Sequence, residues 1–253
     1  PSMGAARRDK VVSALGELEA LVDQVVPVSF PPDRLDWPVA ARALLSRVAS
    51  LLRSISLLVQ HDQHAEAALV VRSLYEHAVM YCWLAIEPER RMGEWAEHHR
   101  AGYLRAIREA RTDFEIEPPE HVDLDEWPQR LGDLKSRAAE CDAHWGAQIE
   151  GLRQPMKGPE GLLTLAGLYT SLYRSLSRIA HADLATVEPV IRPTRSELAV
   201  LREHRRGAYD DAVELAVPAA AFPLVVYAHE FGRIDVEAIR RINYAFAGVE
   251  SPE

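Results

Sequence analysis

The sequence GLLTLAGLYTSLYRSLSRIAHAD, residues 161–183, decides the fold and points to the chemistry of this chain. It is apolar or small apart from Arg174, Arg178 and His181, and its first acidic residue is Asp183. An α-helix with 100° per residue places the three ionisable groups within a stripe about 60° wide. Because burying a charge costs several kcal/mol unless it is paired, we expect this stripe to meet an acidic partner or an anionic ligand.

A second apolar segment, residues 68–86 (ALVVRSLYEHAVMYCWLAI), supplies the acidic partner. Its Arg72 and Glu76 are four residues apart, so they share one face of a helix. A solvent-exposed pair of this kind contributes only about 0.2–0.5 kcal/mol, which does not explain its position among apolar residues. We therefore expect Arg72 to act as a second fixed cation in a buried polar cluster. Glu76 is expected to accept hydrogen bonds from residues 161–183, the candidates being Arg174, Ser177, Arg178 and His181.

Helical periodicity extends over nearly the whole chain, and Pro-rich breaks separate the helices. The predicted helices are 5–25, 36–60, 62–86, 88–111, 126–144, 160–182 and 208–231, followed by a short one near the C-terminal end. A capping box at Thr194 and Glu197 predicts one more short helix, and Pro218 and Pro223 are expected to kink the 208–231 helix. The pattern predicts an all-α helical bundle of about seven to nine helices.

Breaks in the pattern divide this bundle into three parts. Residues 1–35 form an N-terminal helix and a Pro-rich connector, and residues 36–185 form a helical core with a loop near 112–125. Residues 186–253 are expected to form C-terminal helices that pack on this core.

Composition limits the classes of function. Twenty-nine basic against 38 acidic residues give a net charge of −9, which opposes a large nonspecific nucleic-acid surface but allows a small local phosphate site. The two cysteines have no metal-ligand spacing, which favours the reducing cytoplasm. Residues 1–10 do not resemble a secretory signal, and Arg72 and Glu76 argue against a membrane span at 68–86.

Other groups of reactive residues give weaker indications of a functional site. His61 and His64 could offer two metal ligands, but no third ligand with suitable spacing follows them. Glu94 and Glu97 lack the paired Glu-x-x-His pattern of di-iron helices. No phosphate-binding glycine loop or nucleophile elbow is present, so the sequence predicts neither a metal nor a cofactor.

Two interpretations of the Arg, Glu and His cluster remain open. In the first, the polar groups satisfy one another and fix the register of the helices, as many core networks do. In the second, the cluster opens to a cleft and handles phosphate. Arginine suits bidentate phosphate contacts, and a neutral histidine can take a proton from a ribose 2′-OH, which would cleave RNA without a metal.

The motif RSLYE at 72–76 and the motif LSRIAH at 176–181 resemble those of a bacterial family of unknown function. That family is similar to the HEPN superfamily, the higher eukaryotes and prokaryotes nucleotide-binding helical domains. HEPN ribonucleases carry an arginine and a histidine separated by four to six residues. Arg174 and His181, with six residues between them, match this pattern. The resemblance covers roughly residues 40–185.

The resemblance implies a HEPN-like core and a role as a toxin, in phage defence or in nucleotide binding. For a metal-independent endoribonuclease it implies that His181 is the general acid or base and that Arg174 and Arg178 stabilise the phosphorane. Glu76 would orient a cation or the imidazole, and RNA or a nucleotide would be the partner. HEPN-like domains often pair, so we expect a homodimer. The alternative is a noncatalytic helical scaffold that binds a partner.

Overall fold

The structure is a computed structural model that describes residues 4–26, 29, 36–114, 131–153, 164–174, 176–177, 191–193, 198–200 and 209–248. Its longer helices are α1 (Ala5–Asp23), α2 (Trp37–Gln60), α3 (His64–Leu84), α4 (Pro88–Phe114) and α5 (Leu134–Arg153). These are followed by α6 (Leu165–Leu168), α7 (Asp210–Glu214), α8 (Ala216–Phe231) and α9 (Val236–Ala247). The prediction of an all-α helical bundle is confirmed.

Helices α2 and α3 form an antiparallel pair at the centre of the bundle. Helix α2 begins where the Asp36 carboxylate accepts a hydrogen bond from the amide of Val39 at 3.4 Å, with Pro38 in the first turn. The chain reverses between the two helices at Asp62, whose φ of 57° lies in the left-handed region that Asp tolerates. Neither helix contains a glycine, and Pro38 is their sole proline. This continuous pairing fixes the position of α3.

One hydrophobic core joins the helices from all parts of the chain. Leu15 of α1, Leu45 of α2, Leu74 of α3, Ile149 of α5 and Val225 of α8 are each at most 2% exposed and belong to it. Helix α8 is the most deeply buried, and it packs against α3, α5, α9 and α1. The core therefore packs against one side of α3, and the functional residues lie on another side of that helix.

The predicted single helix at 208–231 is two helices, α7 and α8, separated at Leu215. Pro218 lies in the first turn of α8. In an unbroken helix its ring would clash with the carbonyl group of Glu214, which is the last residue of α7. Pro218 therefore ends one helix and starts the next, whereas Pro223 is accommodated within α8. Helix α8 ends at Gly232, whose φ is 61°.

A short antiparallel ladder pairs β1 (Ile191–Pro193) with β2 (Leu198–Val200). The predicted extended conformation is confirmed over 191–193. The predicted short helix after the capping box is wrong for Leu198–Val200, because these residues pair with β1 as a strand. Thr194 and Glu197 themselves lie outside the described residues.

Two described segments, Trp37–Gln60 and Asp210–Phe231, are long and apolar enough to cross a membrane by length and composition. In the most apolar 18-residue stretch of each segment, 44% of the residues of the first and 78% of the residues of the second are buried inside the protein. Core helices of soluble proteins pass the same test, so these segments are weak grounds for a membrane span.

Candidate functional site

Residues of the RSLYE motif contact the helix that begins at Leu165, where α3 packs against it. We call the helical residues 165–174 and 176–177 the motif helix. Arg72 donates a hydrogen bond from Nη2 to the Tyr173 hydroxyl oxygen at 3.1 Å, and its guanidinium carbon lies 4.9 Å from the centre of the Tyr173 ring. The same Nη2 is 3.1 Å from Oε1 of Glu76. Glu76 also lies close enough to the Tyr173 hydroxyl group to raise the pKa of Tyr173. These three residues form the Arg72–Glu76–Tyr173 cluster.

Helix α5 and α3 hold the first turn of the motif helix in place. The Asp142 carboxylate of α5 accepts hydrogen bonds from the amides of Leu165 and Ala166 at 2.9 and 2.8 Å. A carboxylate at this position also interacts favourably with the positive end of the helix dipole. The buried hydroxyl group of Tyr75 in α3 donates to the carbonyl oxygen of Leu165 at 2.7 Å. The start of the motif helix is therefore tied to both of its neighbours.

A π-helical turn, Tyr169–Tyr173, interrupts the motif helix just before Arg174. Such turns are rare and are often found at functional sites. Here the turn brings three aromatic rings together. Tyr169 and Tyr173 stack at 5.3 Å between ring centres, and Tyr75 and Tyr173 lie 5.7 Å apart. The turn ends before Arg174, so it does not change the angles predicted between Arg174, Arg178 and His181.

Leucines bury one side of the motif helix, at positions Leu165, Leu168, Leu172 and Leu176. On the other sides, Arg174 is exposed and Ser177 is half-buried. The side chains of Arg72 and Glu76 are 22% and 36% exposed. Arg72 and Glu76 are therefore only partly buried, and the leucine face turns Arg174 towards the surface.

Glu76 pairs with Arg72 of its own helix, contrary to the expectation that it reaches across the bundle. The contact across the bundle is made by Arg72 instead, through Tyr173. Arg178 and His181 lie outside the described residues, so their predicted part in the site stays a prediction. Tyr173 was not predicted from the sequence as a site residue. The available signal was the pair Tyr169 and Tyr173, spaced four apart directly before Arg174.

The surroundings of Tyr173 keep its hydroxyl group protonated. Partial burial raises the pKa of Tyr173, and the neighbouring Glu76 carboxylate raises it further, while the hydrogen bond from Arg72 opposes the shift. The phenol can therefore donate to Glu76 while it accepts from Arg72. Arg174 follows Tyr173 directly in the chain and is exposed. This arrangement can bind an oxyanion and stack a planar ring.

A second polar pair joins the start of α3 to α7. Nδ1 of His64 and Oδ1 of Asp210 lie 2.5 Å apart, and their side chains are 14% and 3% exposed. Nε2 of His64 is buried and has no hydrogen-bond partner among the described residues. His61 is exposed. Among the residues that the structure describes, no three His, Cys, Asp or Glu side chains converge as metal ligands.

Fold and site together define an α-helical bundle protein with an Arg, Glu and Tyr cluster between its central helix and a π-interrupted motif helix. The chain belongs to a protein family described as a family of unknown function, DUF5677, which it matches over residues 39–197. The matched region begins in α2 and includes both sequence motifs. No curated protein and no solved structure matches the chain.

Proposed function

We propose that this protein is a HEPN-like, metal-independent endoribonuclease of the toxin or phage-defence type. The observation that carries the proposal is the 3.1 Å contact between Arg72 and Tyr173, because it joins the RSLYE motif to the helix that contains Arg174. Arg72 and Tyr173 are 101 residues apart in the sequence, and their contact brings α3 against the helix that leads to Arg174. This is the juxtaposition that a site shared by the two helices requires.

The proposed reaction uses the ribose of the substrate as the nucleophile. His181 takes the proton of a 2′-OH, the 2′ oxygen attacks the adjacent phosphorus, and the bond to the 5′ oxygen breaks. The departing 5′ oxygen takes up a proton. The products are a 2′,3′-cyclic phosphate and a 5′-OH. Arg174 and Arg178 stabilise the negative charge of the phosphorane.

The described residues would position the RNA for this step. Glu76 fixes the Arg72 guanidinium group, which the Tyr173 hydroxyl group also holds. The half-buried rings of Tyr169 and Tyr173 are stacked beside Arg174 and offer an edge or face on which an unpaired base can stack. With a net charge of −9 the protein would contact few phosphates, so it would select short single-stranded segments.

We also propose that the protein acts as a homodimer in the cytoplasm. Pairing of two copies would bring two motif helices together and place two sets of arginines around one phosphate. Sedimentation of the purified protein over a range of concentrations tests this part, since the proposal requires a species with the mass of two chains.

Cleavage of a single-stranded RNA by the purified protein in EDTA tests the function. His181→Ala is expected to lower the rate by about 10²–10⁴-fold, the usual contribution of a general base. His99→Ala is the matched control, because His99 is an exposed histidine on α4, and it should cleave at the wild-type rate. Equal cleavage by His181→Ala and the wild type would contradict the proposal.

The alternative is a noncatalytic scaffold that binds a partner protein. The observation in its favour is that Arg72 already pairs with Glu76 and donates a hydrogen bond to Tyr173. For a scaffold, Arg72→Met would change the stability of the protein and nothing else. For the ribonuclease, the same variant would also weaken RNA binding at low salt.

A further inference from the structure

A separate cleft of about 320 Å³ lies between α4, α5 and the C-terminal end of α3. This volume is near the lower end of the range of about 300–1,000 Å³ found for small-molecule sites, so it exceeds the needs of a single ion. The polar residues that line it include Arg90, Arg91, Arg137, Glu94, Glu97 and Glu140. None of them belongs to the Arg72–Glu76–Tyr173 cluster.

Trp83 forms a rigid base for this cleft. The guanidinium carbons of Arg91 and Arg137 lie 4.6 and 5.9 Å from its ring. The indole nitrogen donates to Glu140 at 3.0 Å, and Arg91 pairs with the same carboxylate at 3.2 Å. Arg91 also donates to the backbone carbonyl oxygen of Trp83 at 3.0 Å. The cleft is therefore preformed, which lowers the entropic cost of binding a ligand.

The arginines of the cleft differ in how their charge is compensated. Arg90 forms ion pairs with Glu87 and Glu94, and Arg91 forms one with Glu140. Arg137 has no ion pair with a carboxylate among the described residues. Its Nη1 faces the sulfur atom of Met80 at 3.7 Å, which is a weak acceptor.

Arg137 is also withdrawn from water. Its Nε is buried without a hydrogen-bond partner among the described residues. Burial lowers the pKa of Arg137, and Asp133 and Glu140 counteract this only at longer range. A guanidinium group nevertheless stays protonated at neutral pH, so the cleft holds a half-buried cation that lacks a direct counter-charge. An oxyanion in the cleft would supply the missing charge and acceptors.

The other side of the cleft carries carboxylate groups. Glu97 is exposed and Glu94 is half-buried, and both line the cleft across from α5. Carboxylates accept hydrogen bonds from hydroxyl groups but repel a second anionic group. A ligand that fits both sides therefore has one anionic end and one end rich in hydroxyl groups.

We propose that this cleft binds a small hydroxyl-bearing phosphate ester, with the phosphate group on Arg137 and the hydroxyl groups on Glu94 and Glu97. Sugar phosphates and nucleoside monophosphates belong to this chemical class. The residues that line the cleft do not include Arg72, Glu76 or Tyr173. Binding there would therefore persist in His181→Ala.

Calorimetric titration of the full chain with ribose 5-phosphate, inorganic phosphate and ribose tests the proposal. Ribose 5-phosphate is expected to bind at one site per chain and at least tenfold more tightly than inorganic phosphate, and ribose is expected not to bind. Absence of ribose 5-phosphate binding to the wild type would overturn the proposal. Equal affinity for ribose 5-phosphate and inorganic phosphate would overturn the assignment of the hydroxyl end.

Two variants locate the ligand within the cleft. Arg137→Met retains the length of the side chain and should weaken ribose 5-phosphate binding at least tenfold, whereas Arg105→Met should bind as the wild type does. Arg105 is a suitable control because it lies on the exposed side of α4 and pairs with Glu109 at 2.7 Å. Glu97→Gln, at an exposed position that folding tolerates, should weaken binding of the ester and leave that of inorganic phosphate unchanged. Unaltered ester affinity in both Arg137→Met and Glu97→Gln would exclude this cleft as the site.

Discussion

Arg72 of α3 donates a hydrogen bond to the hydroxyl oxygen of Tyr173 at 3.1 Å and lies against the face of the same ring. Tyr173 ends the π-helical turn, and Arg174 follows it directly. The contact therefore brings the RSLYE motif to the residue that directly precedes the exposed Arg174. The candidate site depends on this relationship.

Removing the Tyr173 hydroxyl group should destabilise the protein measurably. Tyr173→Phe retains the ring and its stacking but loses the hydrogen bond with Arg72. We expect the free energy of unfolding to fall by about 0.5–1.5 kcal/mol. Urea denaturation of Tyr173→Phe, Arg72→Met and the double variant measures the coupling between the two residues. Tyr169→Phe is the control, since the Tyr169 ring stacks on Tyr173 but its hydroxyl group bonds no described residue. Strictly additive effects of the two substitutions would contradict the contact.

Neighbouring aspartates in α7 should differ sharply in their effect on stability. Asp210 is 2% exposed and pairs with His64, so Asp210→Ala leaves a buried imidazole without its partner. The expected loss is about 1.5–3 kcal/mol in the free energy of unfolding. The side chain of Asp211 is 93% exposed, and Asp211→Ala should change this free energy by about 0.5 kcal/mol or less. Chemical denaturation compares the two, and equal effects would show that the buried pair does not hold α7 to α3.

Glu230 should make the stability of the protein depend on pH. Burial raises the pKa of Glu230 from its ordinary value of 4.5 to about 7, and the hydrogen bond from Trp37 at 3.2 Å opposes the shift. Between these two pH values the folded state binds more protons than the unfolded state. The contribution of Glu230 to stability is therefore present below about pH 4.5 and is lost as the pH rises through about 7.

Glu230→Gln tests this dependence because glutamine keeps the shape and an acceptor for Trp37. The variant should unfold at a higher temperature than the wild type at about pH 8, and the difference should shrink at about pH 5. Glu237→Gln, on the exposed side of α9, should show no gain at the higher pH. A stabilising effect of Glu230→Gln that is the same at both pH values would contradict the raised pKa.

The two cysteines should be inert in the folded protein. Cys82 and Cys141 are free and at most 1% exposed, and burial raises the pKa of both thiols. Thiolate is the reactive form, so a thiol reagent at neutral pH should modify neither residue in the folded protein. Both should react in denaturant. Rapid modification under native conditions would show that α3 and α5 separate readily.

Much of the fold could be predicted from the sequence because helical periodicity and capping are local signals. Asp36 with Pro38 marked the start of α2, and the apolar pattern marked α3 as a central helix. The break between α7 and α8 is also local in cause. Pro218 was recognised, but whether a proline kinks a helix or divides it depends on the packing of the flanking turns.

The site was less predictable because its geometry depends on packing between distant segments. The π turn at Tyr169–Tyr173, which carries the ring of Tyr173 that contacts Arg72, has no signal in the apolar periodicity of this segment. The ion pair between Arg72 and Glu76 is consistent with their partial exposure, which the sequence did not predict. The contact between His64 and Asp210 joins residues 146 positions apart, and no local sequence pattern predicts it.

The chemistry of the cleaved RNA ends tests the central claim most directly. A single-stranded oligoribonucleotide incubated with the purified protein in EDTA should yield 2′,3′-cyclic phosphate and 5′-OH ends, identified by mass spectrometry. A matched oligonucleotide with 2′-deoxyribose throughout should remain intact, and His181→Ala should release neither product above background. Cleavage that requires a divalent metal, or that proceeds on the 2′-deoxy substrate, would contradict a reaction driven by the ribose 2′-OH. If the wild-type protein cleaves no RNA, the ribonuclease proposal is wrong and the noncatalytic helical scaffold remains.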